Sequence, residues 1–423
     1  MIACYAWTNL HILNITNTKL NLFPDETADL YILIPKYDQV SLKLIYSVKS
    51  MEVFRNIHYI EPPQIIKRHL LLGFIPKIRN LFLKRGHLLH YNRVLDNLVE
   101  DDVCNRVLVP CFIGLSGVLF FVNYWYKKNK KLKITFVEEG AGTYLLTMKE
   151  MFNVKFPDVT IGAKVSKWLL YSRYSKKYSK LVDSIYVYAP AILRPCVKIE
   201  KKSIPSLSMN NGTMLSLVSN ATHHLDMSHF IRYNKSDVYF FSNYAPNRTG
   251  FETRSYEILE AIMRSAKCSR IIVKAHTNSP RHSEKFAADY ENMVYVDRHN
   301  YLFEGILHQI ADVEKKVFIG YISSTLLYPK IMFNKEPHIV LIHRLYTSTQ
   351  KEIERDEKFA SDMLSLYDDK TKVLIPNSLL EMQEMIGSAL HQSTPLLLLQ
   401  MKDIEDGYAN LHKSNKEDLE AKK

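Results

Sequence analysis

Apolar positions fall in short runs separated by helix-length segments along most of the chain. "MIACYAW" and "ADLYILIP" have the length and continuity of buried strands. Between them "TNLHILNITNTKL" carries helical spacing, with Thr8 or Asn9 as its N-cap. "VFRNIHYI", a basic helical stretch from Pro63 to about Asp101, a strand from Arg106 to Pro110 and the strand "ITFVEEG" continue the series. "SKKYSKLVDSIYVYAP" closes it as helix, strand and proline stop. From Pro195 to Asp237 the chain turns polar and weakly periodic, which predicts a connection between domains. A second series follows: strand "DVYFFSNY", helix "TRSYEILEAIMRSA", strand "SRIIVKAH", a helix near Ser283 to Asn292, strand "MVYVD", helix "LFEGILHQI", strand "KKVFIG", a helix after "SST" and strand "HIVLI". Strands alternating with helices predict an α/β chain with parallel sheets. Two such domains joined by a linker are expected to face a cleft, and ligands of open α/β sheets bind beyond the carboxyl ends of the strands.

Composition changes this picture little, whereas charge changes it more. The 423 residues are 47% hydrophobic and 24% charged, ordinary for a globular chain of about two domains. The formal net charge of +12 favours a polyanionic partner. Zinc-finger spacing, an RNA-recognition signature and an arginine-rich arm are all missing from the sequence, so nucleic acid is not expected. Cys4, Cys104, Cys111, Cys196 and Cys268 are odd in number and contain no CxxC, which fits a reducing cytosol and argues against a disulfide framework or a zinc site. The N-terminus lacks a basic n-region and an apolar signal core, so secretion is not expected. The uncharged run from Val107 to Tyr126 approaches the length of a membrane span, about 20 residues, but Pro110, Gly114, Ser116, Gly117 and Asn123 interrupt it. A strand, a turn and a buried helix are the expected reading.

Candidate chemistry lies just after predicted strands. Glu138 and Glu139 run into a turn built on Gly140 and Gly142. Neighbouring side chains of an extended segment point opposite ways, so one Glu can face a ligand while the other anchors the loop. A carboxylate there can act as a general base, and a pair of solvated loop acids remains the alternative. His276 follows the strand that ends at Lys274, with Arg281 beyond, and its imidazole can donate to a phosphate or protonate a leaving group. Ser323, Ser324 and Thr325 open a helix after "VFIGYI" and, with free backbone N–H groups, can hold an anion; a plain N-cap would use one of the three. Glu304 in "YLFEGIL" can accept hydrogen bonds from both hydroxyls of a ribose, or can be an ordinary helix-start glutamate. His223 and His224 are adjacent and lack partners at ligand spacing, and no DxD follows a strand, so metal-independent chemistry is expected.

The ordered set E-E-G, K-x-H and S-S-T resembles the bacterial sialyltransferases of the two-Rossmann-domain (GT-B) type. It looks closest to the lipooligosaccharide sialyltransferase and capsular polysialyltransferase groups, glycosyltransferase family 52-like. The opening "WTNLHILNITN" is similar to that group's first strand–helix turn. The similarity runs in order over nearly the whole chain, with one departure: Thr277 follows His276 where the family has Pro. The resemblance implies an α/β fold of two Rossmann-like domains facing a cleft. It further implies an acceptor-side domain with the general base over residues 1–194, a connection over 195–237, a donor-binding domain over 238–400 and a charged tail over 401–423. It implies inverting, metal-independent transfer of sialic acid from CMP-sialic acid to a hydroxyl of a cell-surface glycan (lipooligosaccharide or capsule), with no cofactor. One carboxylate of Glu138–Glu139, with a lean to Glu138, would deprotonate the acceptor hydroxyl. His276 would bind the donor phosphate and assist departure of CMP. Ser323 and Ser324, with Thr325 beside them, would bind the phosphate or donor carboxylate, and Glu304 the ribose. Lys274 joins the donor-binding set. The expected partners are a nucleotide-sugar donor, a glycan acceptor and an anionic membrane surface. The last follows from Lys67, Arg68, Lys77, Arg79, Lys84 and Arg85 interleaved with Leu81, Phe82 and Leu83, and implies a cytoplasmic protein peripheral on the inner membrane face. Two alternatives remain: a related transferase using a hexose nucleotide, and a non-enzymatic basic protein that binds glycan or membrane.

Overall fold

The computed structural model describes residues 1–34, 42–61, 90–99, 103–111, 117–145, 151, 177–194, 199–207, 212–221, 227–242, 251–265, 270–274, 294–297, 303–346 and 349–391. The chain divides into two compact units, Met1–His223 and His224–Lys423, each with its own sheet.

In the first unit the strands are β1 (Ile2–Ala6), β2 (Ala28–Leu33), β3 (Asn56–Ile60), β4 (Arg106–Pro110), β5 (Lys133–Val137), β6 (Val182–Val187) and β7 (Glu200–Ser203). They form one sheet in the order β3-β2-β1-β4-β5-β6-β7, with every pairing parallel. Central strands of a parallel sheet are covered on both faces, which is why β1 and, apart from Asp29, β2 are apolar runs without alternation and are buried throughout. Helix α1 (Asn9–Leu22) follows β1, and Thr8 is its cap, its side chain accepting from the His11 amide at 3.2 Å. This helix buries polar residues: Asn14, Asn17 and Thr18 have no exposed surface. Such burial is tolerated only with hydrogen bonds; Thr18 Oγ1 donates to the Asn14 carbonyl at 2.7 Å, and Asn17 Nδ2 to the Pro205 carbonyl at 2.8 Å.

The uncharged run from Val107 resolves into β4 and, after Gly117, the helix Val118–Lys128. Gly117 has φ +88°, and a Cβ there would meet the hydroxyl oxygens of Tyr91 and Tyr5 at 2.5 and 2.6 Å. Among the described residues no helix is long and apolar enough to cross a membrane.

In the second unit β8 (Val238–Phe241), β9 (Ile271–Lys274), β10 (Val294–Asp297), β11 (Val317–Gly320), β12 (His338–Leu341) and β13 (Val373–Leu374) form a parallel sheet in the order β10-β9-β8-β11-β12-β13. Ile258 and Ile262 of helix Phe251–Ser265, and Met382 and Ile386 of helix Leu379–His391, pack against Val238, Val273, Val317 and Val340. Burying each such side chain contributes about 2 kcal/mol. In both sheets the strand order reverses once, between β1 and β4 and between β8 and β11. At such a point successive crossovers leave in opposite directions and open a crevice at the strands' carboxyl ends.

The span 195–237 is not a bare connection. Glu200–Ser203 is the edge strand β7, registered with Ser184–Val187, and helices Gly212–Ala221 and Met227–Lys235 follow. The β7 sequence "EKKS" lacks apolar alternation because an edge strand exposed to solvent needs none, and its charges discourage pairing with other chains. The basic stretch from Pro63 lies outside the described residues except for 90–99, and so do the helix near Ser283 to Asn292 and the tail from 401.

Candidate active site

The E-E-G turn follows β5 in the first unit, and its two carboxylates occupy different environments. Glu138 is 1% exposed. Its Oε2 accepts the Tyr144 hydroxyl, and the Tyr188 amide at 2.8 Å. Its own amide donates to the Tyr186 carbonyl at 3.0 Å, and its carbonyl accepts Asn14 Nδ2 at 2.9 Å. Asn14 Oδ1 accepts the Tyr188 hydroxyl at 3.0 Å, which closes a ring of bonds from α1 through the loop after β6 to the turn. The Tyr144 hydroxyl accepts the Ala189 amide at 3.2 Å. Burial, and then the adjacent Glu138 charge, push the Tyr144 phenol well above its usual pKa, so it stays a donor. Glu139 is half-buried, its amide tied to Thr143 Oγ1 at 3.1 Å. Gly140 adopts φ +140°, a conformation that a side chain would strain. Gly142 lies in the short helix Ala141–Leu145, with open space where a Cβ would stand. Burial and the charge of Glu139 raise the Cys111 thiol far above its ordinary pKa, which makes it an inert core group against the Val137 carbonyl.

In the second unit Lys274 lies at a strand end and Ser323–Thr325 just beyond one. Lys274 closes β9 and registers with Asp297, which closes β10. Burial lowers the Lys274 pKa and the Asp297 charge opposes that shift, while the Tyr233 hydroxyl donates to Asp297 Oδ2 at 2.5 Å. Lys274 thus carries its own counter-charge inside the sheet. His276 lies outside the described residues. Glu304, in the short helix Phe303–Leu307, is 4% exposed, and burial raises its carboxyl to about 7. Ser323, Ser324 and Thr325 follow β11 at the point where the strand order reverses, and all three are half-buried. Ser323 is the N-cap of helix Ser324–Phe333: its Oγ accepts the Thr325 amide at 3.3 Å and lies 2.7 Å from Thr325 Oγ1. A capping hydroxyl and the helix dipole together favour an anion at this end. Among the described residues no group of three or more His, Cys, Asp or Glu could hold a metal ion.

Two features escape sequence reasoning. The supports of the E-E-G turn, Asn14, Tyr144 and Tyr188, come from three separate segments. Only Tyr144 has a local signal, six residues beyond Glu138. The other feature is a cluster after β12. There His343 Nε2 lies 3.1 Å from Glu357 Oε1, and Arg344 grips Glu357 through Nε at 2.7 Å and a second nitrogen at 2.8 Å. Against the upward push of burial, Arg344 and His343 hold the Glu357 carboxyl at about 2.

The model of the alpha-2,8-polysialyltransferase family matches residues 79–341, more than half of the chain and a span that contains every candidate residue named so far from Glu138 to Thr325. The chain belongs to the alpha-2,8-polysialyltransferase family. It is therefore a glycosyltransferase, and of the two groups it resembles in sequence the polysialyltransferase one is matched. Among solved structures, TcCGT1 in complex with UDP aligns at TM-score 0.52 and 9% identity, over 92% of this chain and 90% of that one. A likeness at that identity concerns the fold, and it agrees with two Rossmann-like units of the GT-B type. UDP-GlcNAc 2-epimerase from Neisseria meningitidis, bound to UDP-GlcNAc, aligns at TM-score 0.47 and 11% identity over 92% of this chain and 97% of that one. A 114-residue stretch is 25% identical to male gametocyte surface protein P230p of Plasmodium falciparum; it spans 26% of this chain and 4% of that protein, too little to assign a family.

Proposed function

We propose that this polysialyltransferase-family chain transfers sialic acid from CMP-sialic acid to a hydroxyl of an α2,8-linked sialyl chain on a bacterial surface glycan, with inversion and without a metal. The observation that carries the reading is the family match, whose span contains a strand-end carboxylate pair that the fold holds by named hydrogen bonds.

A carboxylate of the E-E-G turn takes the acceptor proton as the acceptor oxygen attacks the anomeric carbon. The bond from that carbon to the phosphate oxygen breaks on the opposite face, and CMP leaves with the electron pair. The leaving group carries one phosphate, so His276, the Ser323–Thr325 hydroxyls and a helix N-terminus suffice to stabilise it electrostatically. Lys274 lends positive potential nearby, and Glu304 receives the ribose hydroxyls. The burial of Glu138, enclosed by Tyr144 and the Tyr188 amide, supports a role in fixing the turn, and half-buried Glu139 is assigned as the base. That assignment reverses the lean to Glu138 carried over with the family resemblance.

A thermal-shift panel of nucleotides tests the donor. CMP and CMP-sialic acid are expected to raise the melting temperature, because a ligand that binds only the folded state stabilises it by RT ln(1 + [L]/Kd). Stabilisation by UDP or a UDP-hexose, with none by CMP, would replace the proposed donor.

A further inference from the structure

Helix α1 turns a row of polar side chains toward the E-E-G turn. Asn14 reaches the Glu138 carbonyl, and His11, three residues earlier, lies on the same helix face one turn nearer the carboxyl edge of the sheet. His11 is 4% exposed, and among the described residues its Nδ1 has no hydrogen-bond partner. Buried polar atoms are nearly always paired, so an unpaired one beside a reactive turn calls for an explanation. Burial lowers the ring's pKa to about 3, so the imidazole is neutral at working pH. Trp7, half-buried in the loop after β1, meets the ring edge-on with centroids 4.1 Å apart and an interplanar angle of 73°. That loop stands at the reversal between β1 and β4, where an open sheet receives its ligand.

We propose that His11 and Trp7 form an acceptor subsite, in which a ring nitrogen of His11 hydrogen-bonds a hydroxyl of the acceptor sugar and the Trp7 indole packs on its apolar face. A neutral imidazole can donate and accept, which suits a hydroxyl; a carboxylate of the same sugar would call for a cation. An indole offers a broad apolar surface with one polar tip, which suits a ring that is apolar on its faces and polar at its rim. Both residues precede the span matched by the family, so the assignment stands on geometry. It rests on the transferase reading above for the nature of the acceptor.

The test uses the full chain, a short α2,8-linked sialyl oligosaccharide and CMP-sialic acid. His11→Phe keeps the ring packing against Trp7 and removes both nitrogens. The acceptor KM should rise about tenfold, the scale of one lost hydrogen bond, with kcat and the CMP-induced thermal shift unchanged. His11→Asn, which returns an amide near the place of Nδ1, should recover most of the affinity. An unchanged acceptor KM in His11→Phe overturns the subsite. So does a failure of both His11→Phe and His11→Leu to fold while His11→Asn folds, since the nitrogen would then serve the core. A wild-type chain that transfers no sialic acid at all strikes the parent reading instead, and this acceptor with it.

Discussion

Replacing Glu139 with Gln removes a proton acceptor while keeping size and most hydrogen bonds. Transfer is expected to fall on the order of 10²–10⁴-fold with CMP binding intact. Glu138→Gln can keep an oxygen on the Tyr144 hydroxyl and the Tyr188 amide but loses the charge they stabilise and buries an NH2 in place of Oε1, and should lower the melting temperature first. Steady-state rates and CMP binding measured on both variants separate the roles; a stable, CMP-binding Glu138→Gln that has lost transfer, beside a fully active Glu139→Gln, would exchange them. Glu304 supplies a pH dependence. Its carboxyl moves from an ordinary 4.5 to about 7 on folding. A raised acid favours the folded state fully below the unfolded value and loses that advantage as pH climbs through the folded one. At about 1.4 kcal/mol per unit the loss between pH 4.5 and 7 is on the order of 3 kcal/mol. CMP affinity should run the other way: ribose hydroxyls donate to a carboxylate, so binding should weaken as pH falls below 7. Calorimetric titration across pH 5.5–8 checks this, and an unchanged profile in Glu304→Gln would remove Glu304 from the ribose site.

The helix α1 and the loop after β6 matter because they hold the E-E-G turn through Asn14, Tyr188 and Tyr144. Tyr144→Phe deletes one donor to Glu138, whose Oε2 keeps the Tyr188 amide, and the acceptor for the Ala189 amide, which is stranded. A cost of about 1–3 kcal/mol for the stranded group is expected, read from urea denaturation. The strand–helix series of both units was legible because buried parallel strands are short apolar runs bounded by turn residues. The cap of α1 was legible to one residue, Thr8 or Asn9. The depth of Glu138 was not, since alternation says that neighbours face apart but not which one faces the core. Nor was the pairing of Lys274 with Asp297, which depends on the register of β9 against β10. The strand β7 hid because a solvent-facing edge needs no apolar pattern.

At the scale of the molecule, family membership and two Rossmann-like units make the chain a glycosyltransferase, and its net charge of +12 suits anionic glycans and anionic lipid alike. Co-sedimentation with vesicles should rise with anionic lipid content, each near-surface Lys or Arg adding about 1 kcal/mol. It should fall at about 1 M salt, where the screening length shrinks to about 3 Å. Pelleting that ignores both variables would rule out an electrostatic membrane contact and leave the basic charge to the glycan. The central claim is sialyl transfer by the E-E-G turn. Mass spectrometry of an α2,8-linked sialyl oligosaccharide, incubated with CMP-sialic acid and EDTA, tests it directly. Wild-type chain should extend the acceptor by whole sialyl residues, and a Glu138→Gln/Glu139→Gln double variant that still binds CMP should not. Equal extension by the double variant, or extension by the wild type only from a UDP-hexose, would contradict the account.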